Sequence, residues 1–161
     1  MKTMSAPSKS KELKIITRPA LTINDIVNDS RKIALLHIVK SFGEITEKAL
    51  YHLVKGVQEE GKIKLGYSFF EVAGILSSKE LREDLIALLY LGLLESNPRN
   101  KKLRITADGQ EFLEQNIEKL GDNAEKISEA IENLRPKIIP IDAEQELTFK
   151  LMKPGRRRRA F

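Results

Sequence analysis

"SSKELREDLIALLYLGLLESNPRNKKLRITADGQEFL", residues 77–113, is the most patterned part of the chain. Ser77-Ser78-Lys79-Glu80 has the form of a capping box, in which the Ser77 hydroxyl accepts from the amide at Glu80 and the Glu80 carboxylate reaches back. The helix it opens is expected to bury Leu81, Leu85, Leu88 and Leu89 and to stop at Gly92. "LLESN" and "KLRIT" then read as two strands around "PRNK", with Pro98 and Asn100 supplying turn chemistry. After Thr106 a further helix begins, with Asp108 and Glu111 near its positive end.

Downstream, Leu113, Ile117, Leu120, Ala124, Ile127, Ile131 and Leu134 follow a heptad a/d series. This predicts one long helix, because a break need not preserve the phase. Gly121 followed by Asp122 and Glu125 is the competing stop and restart. Pro136 is expected to end the helix at Arg135. Beyond it, Leu147, Phe149 and Leu151 alternate with polar or flexible residues and suggest a strand or an arm, before "RRRRAF".

Upstream, "RKIALLHIVKSF" shows helical spacing with Ser30 as the expected N-cap and Gly43 as the stop. "GEIT" reads as short and extended, and Thr46 can cap "EKALYHLVKGVQEEG", which ends at Gly61. "KIKLGYSFFEVAGIL" is expected to be extended to Tyr67 and then briefly helical over Phe69–Leu76. Residues 1–12 are polar and lysine-rich, as disordered segments are.

The sequence has 161 residues, 41% hydrophobic and 32% charged, enough for one domain with flanking segments. The net charge of +5 is unevenly spread. Lys153 and Arg156–Arg159 contribute five positive charges, and residues 1–18 contribute five against Glu12, or +4. The body between is therefore about −4. Basic ends of this kind commonly bind polyanions.

Other chemistries find no support in the residue pattern. The absence of cysteine excludes disulfides, zinc-thiolate sites and cysteine nucleophiles. His37 and His52 stand in different helices without ligand-spaced companions and read as surface or boundary residues. Glu59-Glu60 and Glu83-Asp84 are adjacent pairs that do not face one another on a helix, and Tyr51, Tyr67 and Tyr90 read as core or boundary residues. Gly-rich phosphate loops and nucleophile elbows are missing from the sequence. The expectation is a protein that is not an enzyme, with no cofactor and no metal. No run approaches the ~20 apolar residues of a membrane span, and the N-terminus lacks a signal-peptide core, so a cytoplasmic, nucleoid-associated location is expected.

The order helix, short strand, helix, short helix, capped helix, strand, basic turn, strand, helix resembles a winged helix-turn-helix domain. "SSKELREDLIALLYLGLLES" and "NPRNKKLRITADGQEFL" carry the resemblance, including a "GLLE" exit strand and a Thr-x-x-Gly helix start at Thr106–Gly109. "LYHLVKGVQEEGKIKLGYSFF" adds a likeness to winged-helix regulators common in archaeal and phage-associated proteins. The fold class this implies is mainly α with a small β-hairpin (α+β). Its parts are a flexible basic arm over 1–20, a winged-helix domain over 21–113, a dimerisation helix over 114–135 and an extended arm with an arginine tail over 136–161.

The resemblance places the helix from Lys79 in the major groove of double-stranded DNA, with Ser77, Ser78, Lys79 and Arg82 nearest the DNA. Arg99, Lys101, Lys102 and Arg104 of the wing would lie near phosphates or a minor groove, joined by Arg156, Arg157, Arg158 and Arg159 of the tail. Eight such cations could contact 6–10 phosphates between them, for which affinity falls by roughly 10³–10⁵ between low and moderate salt. Glu80, Glu83 and Asp84 oppose this on the recognition helix and shift the weight to wing and tail. A homodimer would pair through Leu113, Ile117, Leu120, Ala124, Ile127, Ile131 and Leu134. The function implied is transcription regulation or a chromatin-associated role on duplex DNA, with RNA as the other nucleic-acid partner and no membrane. The alternative is an interaction module of a larger nucleoprotein assembly, ribosomal or polymerase-associated, whose basic ends touch RNA or DNA without sequence preference.

Overall fold

In the computed structural model, residues 21–151 are described. The expected N-terminal arm (1–20) and the tail with Arg156–Arg159 lie outside the described residues. The chain is mainly helical with two small antiparallel strand pairs. A 3₁₀ turn, Ile23–Ile26, leads into α1, Ser30–Phe42. The cap of α1 is one residue earlier than expected. Asp29, not Ser30, accepts from the Lys32 amide.

Helix α1 is the centre of the molecule: Ile33, Ala34, Leu35, Leu36, Ile38 and Val39 are all fully buried. A helix apolar on nearly all sides needs cover on all sides. Helix α2, Glu47–Glu60, supplies part of that cover and starts as expected, with the Thr46 hydroxyl accepting from the Ala49 amide. Between the two helices, Ile45 pairs with Leu103 through two backbone hydrogen bonds of 3.1 and 2.7 Å.

The expected short helix over Phe69–Leu76 is instead a β-hairpin, β1 (Phe70–Val72) and β2 (Ile75–Ser77). Its loop is Ala73-Gly74, with both residues at positive φ, the two-residue geometry that suits the twist of paired strands. Its apolar residues Phe70, Val72 and Ile75 are exposed.

Helix α3 follows at Lys79–Tyr90, and the hairpin β3 (Leu94–Ser96) with β4 (Leu103–Ile105) after it, as expected. Two burial expectations fail: Leu89 is 37% and Tyr90 64% exposed, because α3 turns Leu81, Asp84, Leu85 and Leu88 inward.

Thr106 caps α4, Ala107–Asn116, by accepting from the Gly109 amide, and donates its hydroxyl proton to the Gly92 carbonyl. Gly109 lies against the backbone that enters β3. A Cβ there would stand 2.1 Å from the Leu93 carbonyl oxygen. The Thr-x-x-Gly pattern is thus a packing requirement between helix and hairpin.

The single long helix from Thr106 is not formed. Helix α4 ends at Asn116, a 3₁₀ turn covers Ile117–Leu120, and Gly121 takes φ 59° before α5, Asn123–Leu151. A left-handed residue cannot sit inside a right-handed helix, and glycine adopts it without a Cβ penalty. The heptad phase survives the break because both segments pack on the same core. Leu113, Leu120, Ile127, Ile131 and Leu134 are buried within the chain, and Ile117 and Ala124 are partly buried against them. The set expected to join two copies is therefore interior to one.

Helix α5 also passes Pro136 and does not stop at Arg135; both Pro136 and Pro140 lie within it. Each proline removes one helical hydrogen bond, to the carbonyls of Glu132 and Pro136 respectively. These residues are all exposed, so water can serve the freed carbonyls. Packing on the opposite face holds the path: Leu134 and Ile138 are buried, and Arg135 donates to the carbonyls of Ser41 and Phe42. Leu147, Phe149 and Leu151 are accordingly helical, not a strand or an arm. The core runs unbroken from Ile26 to Ile138, across the boundary expected at residue 113.

His37 is half-buried, its Nε2 3.0 Å from the Ala124 carbonyl, while its Nδ1 is buried without a partner. Burial pushes its pKa down.

Gly109→Ala should lower stability by about 3 kcal/mol, because the Cβ cannot be accommodated without parting α4 from β3. Urea denaturation compared with the parent chain measures it.

Candidate nucleic-acid interface

The residues expected to touch nucleic acid divide into those turned outward and those engaged inside the fold. At the start of α3 the cap is Ser78, not Ser77: the Ser78 hydroxyl accepts from the Leu81 amide, and Ser77 closes β2. Glu80 accepts from the Ser68 amide at 3.2 Å and the Ser78 hydroxyl at 3.3 Å. Hydrogen bonds from its own and the Ser68 amide hold its carboxyl below the usual range. Lys79 and Arg82 project outward and make no ion pair with any described residue.

Asp84, expected to repel phosphate, faces the interior. It is 1% exposed and accepts from Arg31 Nε at 2.7 Å, Arg31 Nη2 at 3.1 Å and the Tyr67 hydroxyl at 2.7 Å, with Lys32 Nζ at 3.0 Å. The hydrogen bond to Asp84 raises the Arg31 pKa, and burial followed by the Asp84 charge pushes the Tyr67 hydroxyl far up. Tyr67 is therefore a core residue with a polar function, and its neighbour across the ring is the Arg31 guanidinium, 5.3 Å from the centroid. Of the three acids in the first turns of α3, only Glu83 remains outward without such a bond among the described residues.

The β3–β4 hairpin divides in the same way. Asn97 and Asn100 accept from the amides of Arg99 and Lys102, and Lys101 takes φ 61°, which shapes a tight basic turn. Asn97 shares the turn chemistry that was expected of Pro98 and Asn100. Arg99 and Lys101 are exposed at its tip. Lys102 points back to Asp142 at 2.8 Å and Glu146 at 3.0 Å, with only 16% of its side chain exposed. Arg104 is held by Glu95 at 2.7 Å and Glu44 at 3.3 Å, its pKa raised chiefly by the Glu95 hydrogen bond. Lys102 is thus engaged within the fold, whereas Arg104 is paired at the surface with 43% of its side chain exposed.

Asp142 is the residue that positions the last turns of α5. Its Oδ1 accepts from the buried Thr46 amide at 2.6 Å, while Oδ2 meets Lys102. One and two turns on, along the same face of α5, Gln145 and Phe149 line a groove beside the start of α3.

The groove has a volume of about 600 Å³. Lys48 of α2 and Lys79 and Arg82 of α3 bring cations to it, and Tyr51, Phe70 and Phe149 bring aromatic rings. The Tyr51 pKa is pushed up to about 12 by burial and the Glu47 carboxylate, against a smaller opposing effect of Arg82. Lys48, Phe70 and Phe149 were not among the expected site residues. Only the elements that surround them bring them together, and no sequence pattern marks that meeting.

Among the described residues, no group of three or more His, Asp or Glu side chains could hold a metal ion, and no helix is long and apolar enough to cross a membrane. No protein-family model, curated protein or solved structure matches this chain.

Asp84→Ala should cost about 3 kcal/mol, toward the lower end for a broken buried ion pair because Arg31 keeps 31% exposure. The denaturant midpoint would report it. Asp142→Ala should leave the Thr46 amide unserved and loosen the end of α5. Hydrogen exchange should then quicken over residues 140–151 and at Thr46, with α1 unchanged.

Proposed function

We propose that this chain is a nucleic-acid-binding module of winged-helix type, acting on duplex DNA as a transcription regulator or chromatin-associated factor. The observation that carries the reading is the outward projection of Lys79 and Arg82 from the start of α3, with Asp84 turned inward beneath them. In this reading α3 is the recognition helix and the β3–β4 hairpin is the wing. Arg99 and Lys101 of the wing tip supply phosphate contacts, and the arginine-rich end of the sequence supplies more. One chain is the binding unit, because the seam expected to pair copies is interior.

The reading as a protein-interaction module keeps a specific support of its own. Ile86 and Tyr90, one turn apart on the outer face of α3, are 57% and 64% exposed. Apolar residues there suit a protein partner better than a hydrated DNA groove.

Mobility shift on duplex DNA, with salt titration, separates the two. Removing both α3 cations in a K79E/R82E variant should weaken binding at least tenfold. It should also reduce the slope of log affinity against log salt by roughly 2, one counterion release per contact. Binding unchanged by that variant, or abolished by truncation to residues 1–152 alone, would refute α3 and the wing as the main contacts. An I86D/Y90D variant should retain DNA binding; loss of it with the fold intact would favour the interaction module.

A further inference from the structure

The groove beside α3 joins the α3 cations to aromatic rings that the duplex reading leaves unused. Phe70, 51% exposed, lines it from β1, and Phe149 lines it from the last turn of α5. Lys48, Lys79 and Arg82 line the same space against one carboxylate, that of Glu47. Among the described residues none of these three cations is in an ion pair. An apolar ring left half in water is an unsatisfied surface, and three cations against a single carboxylate are another. An occupant that answers both must carry a flat π-face and a negative charge a few ångström apart.

We propose that this groove binds an unpaired nucleotide, with the base against Phe149 and Phe70 and the phosphate on Lys48, Lys79 and Arg82. Aromatic residues beside a cationic track are the chemistry by which single strands are held, since every base presents a π-face. The volume of about 600 Å³ lies within the usual range for a bound small ligand. Duplex DNA cannot use the rings, because its bases are stacked on one another.

The proposal rests on the nucleic-acid reading above but separates from it in the test. The chain contains no tryptophan, so Phe149→Trp places a unique fluorophore in the groove. Titration of this full-length variant with a 12-nucleotide oligo-dT should quench its emission saturably, whereas a blunt duplex should not. Phe149→Ala and Phe70→Ala should each weaken oligo-dT binding at least about fivefold by anisotropy and leave blunt-duplex binding within about twofold. Thermal midpoints control for folding, and the Trp variant stands if the Ala variant fails to fold. The nucleotide could belong to a strand or be free, and dTMP competition distinguishes these. Displacement of oligo-dT by dTMP at equal nucleotide concentration assigns the groove to free nucleotides. Binding of oligo-dT alone assigns it to strands.

Duplex binding without oligo-dT binding, or oligo-dT binding with no quenching and no effect of either Ala variant, overturns the groove and spares the parent reading. Tighter oligo-dT binding after truncation to 1–152 would mean that the chain end itself occupies the groove, and it overturns the proposal too. Binding of neither oligonucleotide overturns both.

Discussion

A buried carboxylate fixes the orientation of α3. Asp84 is almost wholly removed from solvent and draws in Arg31 and Lys32 from α1 and the Tyr67 hydroxyl from the segment after α2. A charge so placed is tolerated only with its partners in position, since an uncompensated one would cost several kcal/mol. The demand is directional: α3 must present the Asp84 face to α1. That rotation buries Leu81, Leu85 and Leu88 and sends Lys79, Arg82, Ile86 and Tyr90 outward. The charge character of the outer face thus follows from a constraint on the inner one.

A second carboxylate does comparable work at the other end of the molecule. Asp142 meets the Thr46 amide and Lys102, tying the end of α5 to the start of α2 and the root of the β3–β4 hairpin. Without it the helix beyond Pro140 would have little apolar anchorage, since Ile138 is the last buried apolar residue. With it, Gln145 and Phe149 are carried to the groove beside α3. The hairpin gives up Lys102 as a free cation, and the groove gains a wall. Surface chemistry at one place is set by an ion pair formed at another.

Local signals in the chain were legible where the physics is local. The cap at Thr46, the helix start after Thr106, the stop at Gly43 and the β3–β4 pair all depend on a few neighbouring residues. Helix α3 is capped, as its sequence predicts, although at Ser78 and not Ser77. The failures have a common cause. At Ala73-Gly74 a two-residue turn overrode apolar spacing that suits a helix. At Pro136 and Pro140 tertiary packing on one face outweighed two lost hydrogen bonds on the other. The heptad series predicts a seam between two copies, yet it is satisfied by α1 and α2 of the same chain. Periodicity records that a face is buried, not what covers it.

By itself, the sequence determined the kind of protein: a cysteine-free, mainly helical chain with a capped helix, a basic hairpin turn and basic ends. Composition, capping and turn chemistry act over a few residues, so they can be read in one dimension. Only the tertiary structure decided which charges are free. Asp84 and Arg31 are 53 positions apart, and Lys102 and Asp142 are 40 apart by number. Partners so distant cannot be paired by pattern, because desolvation and geometry choose among many carboxylates and cations of similar local appearance. The same holds for the groove, which exists only where two strands and three helices end side by side.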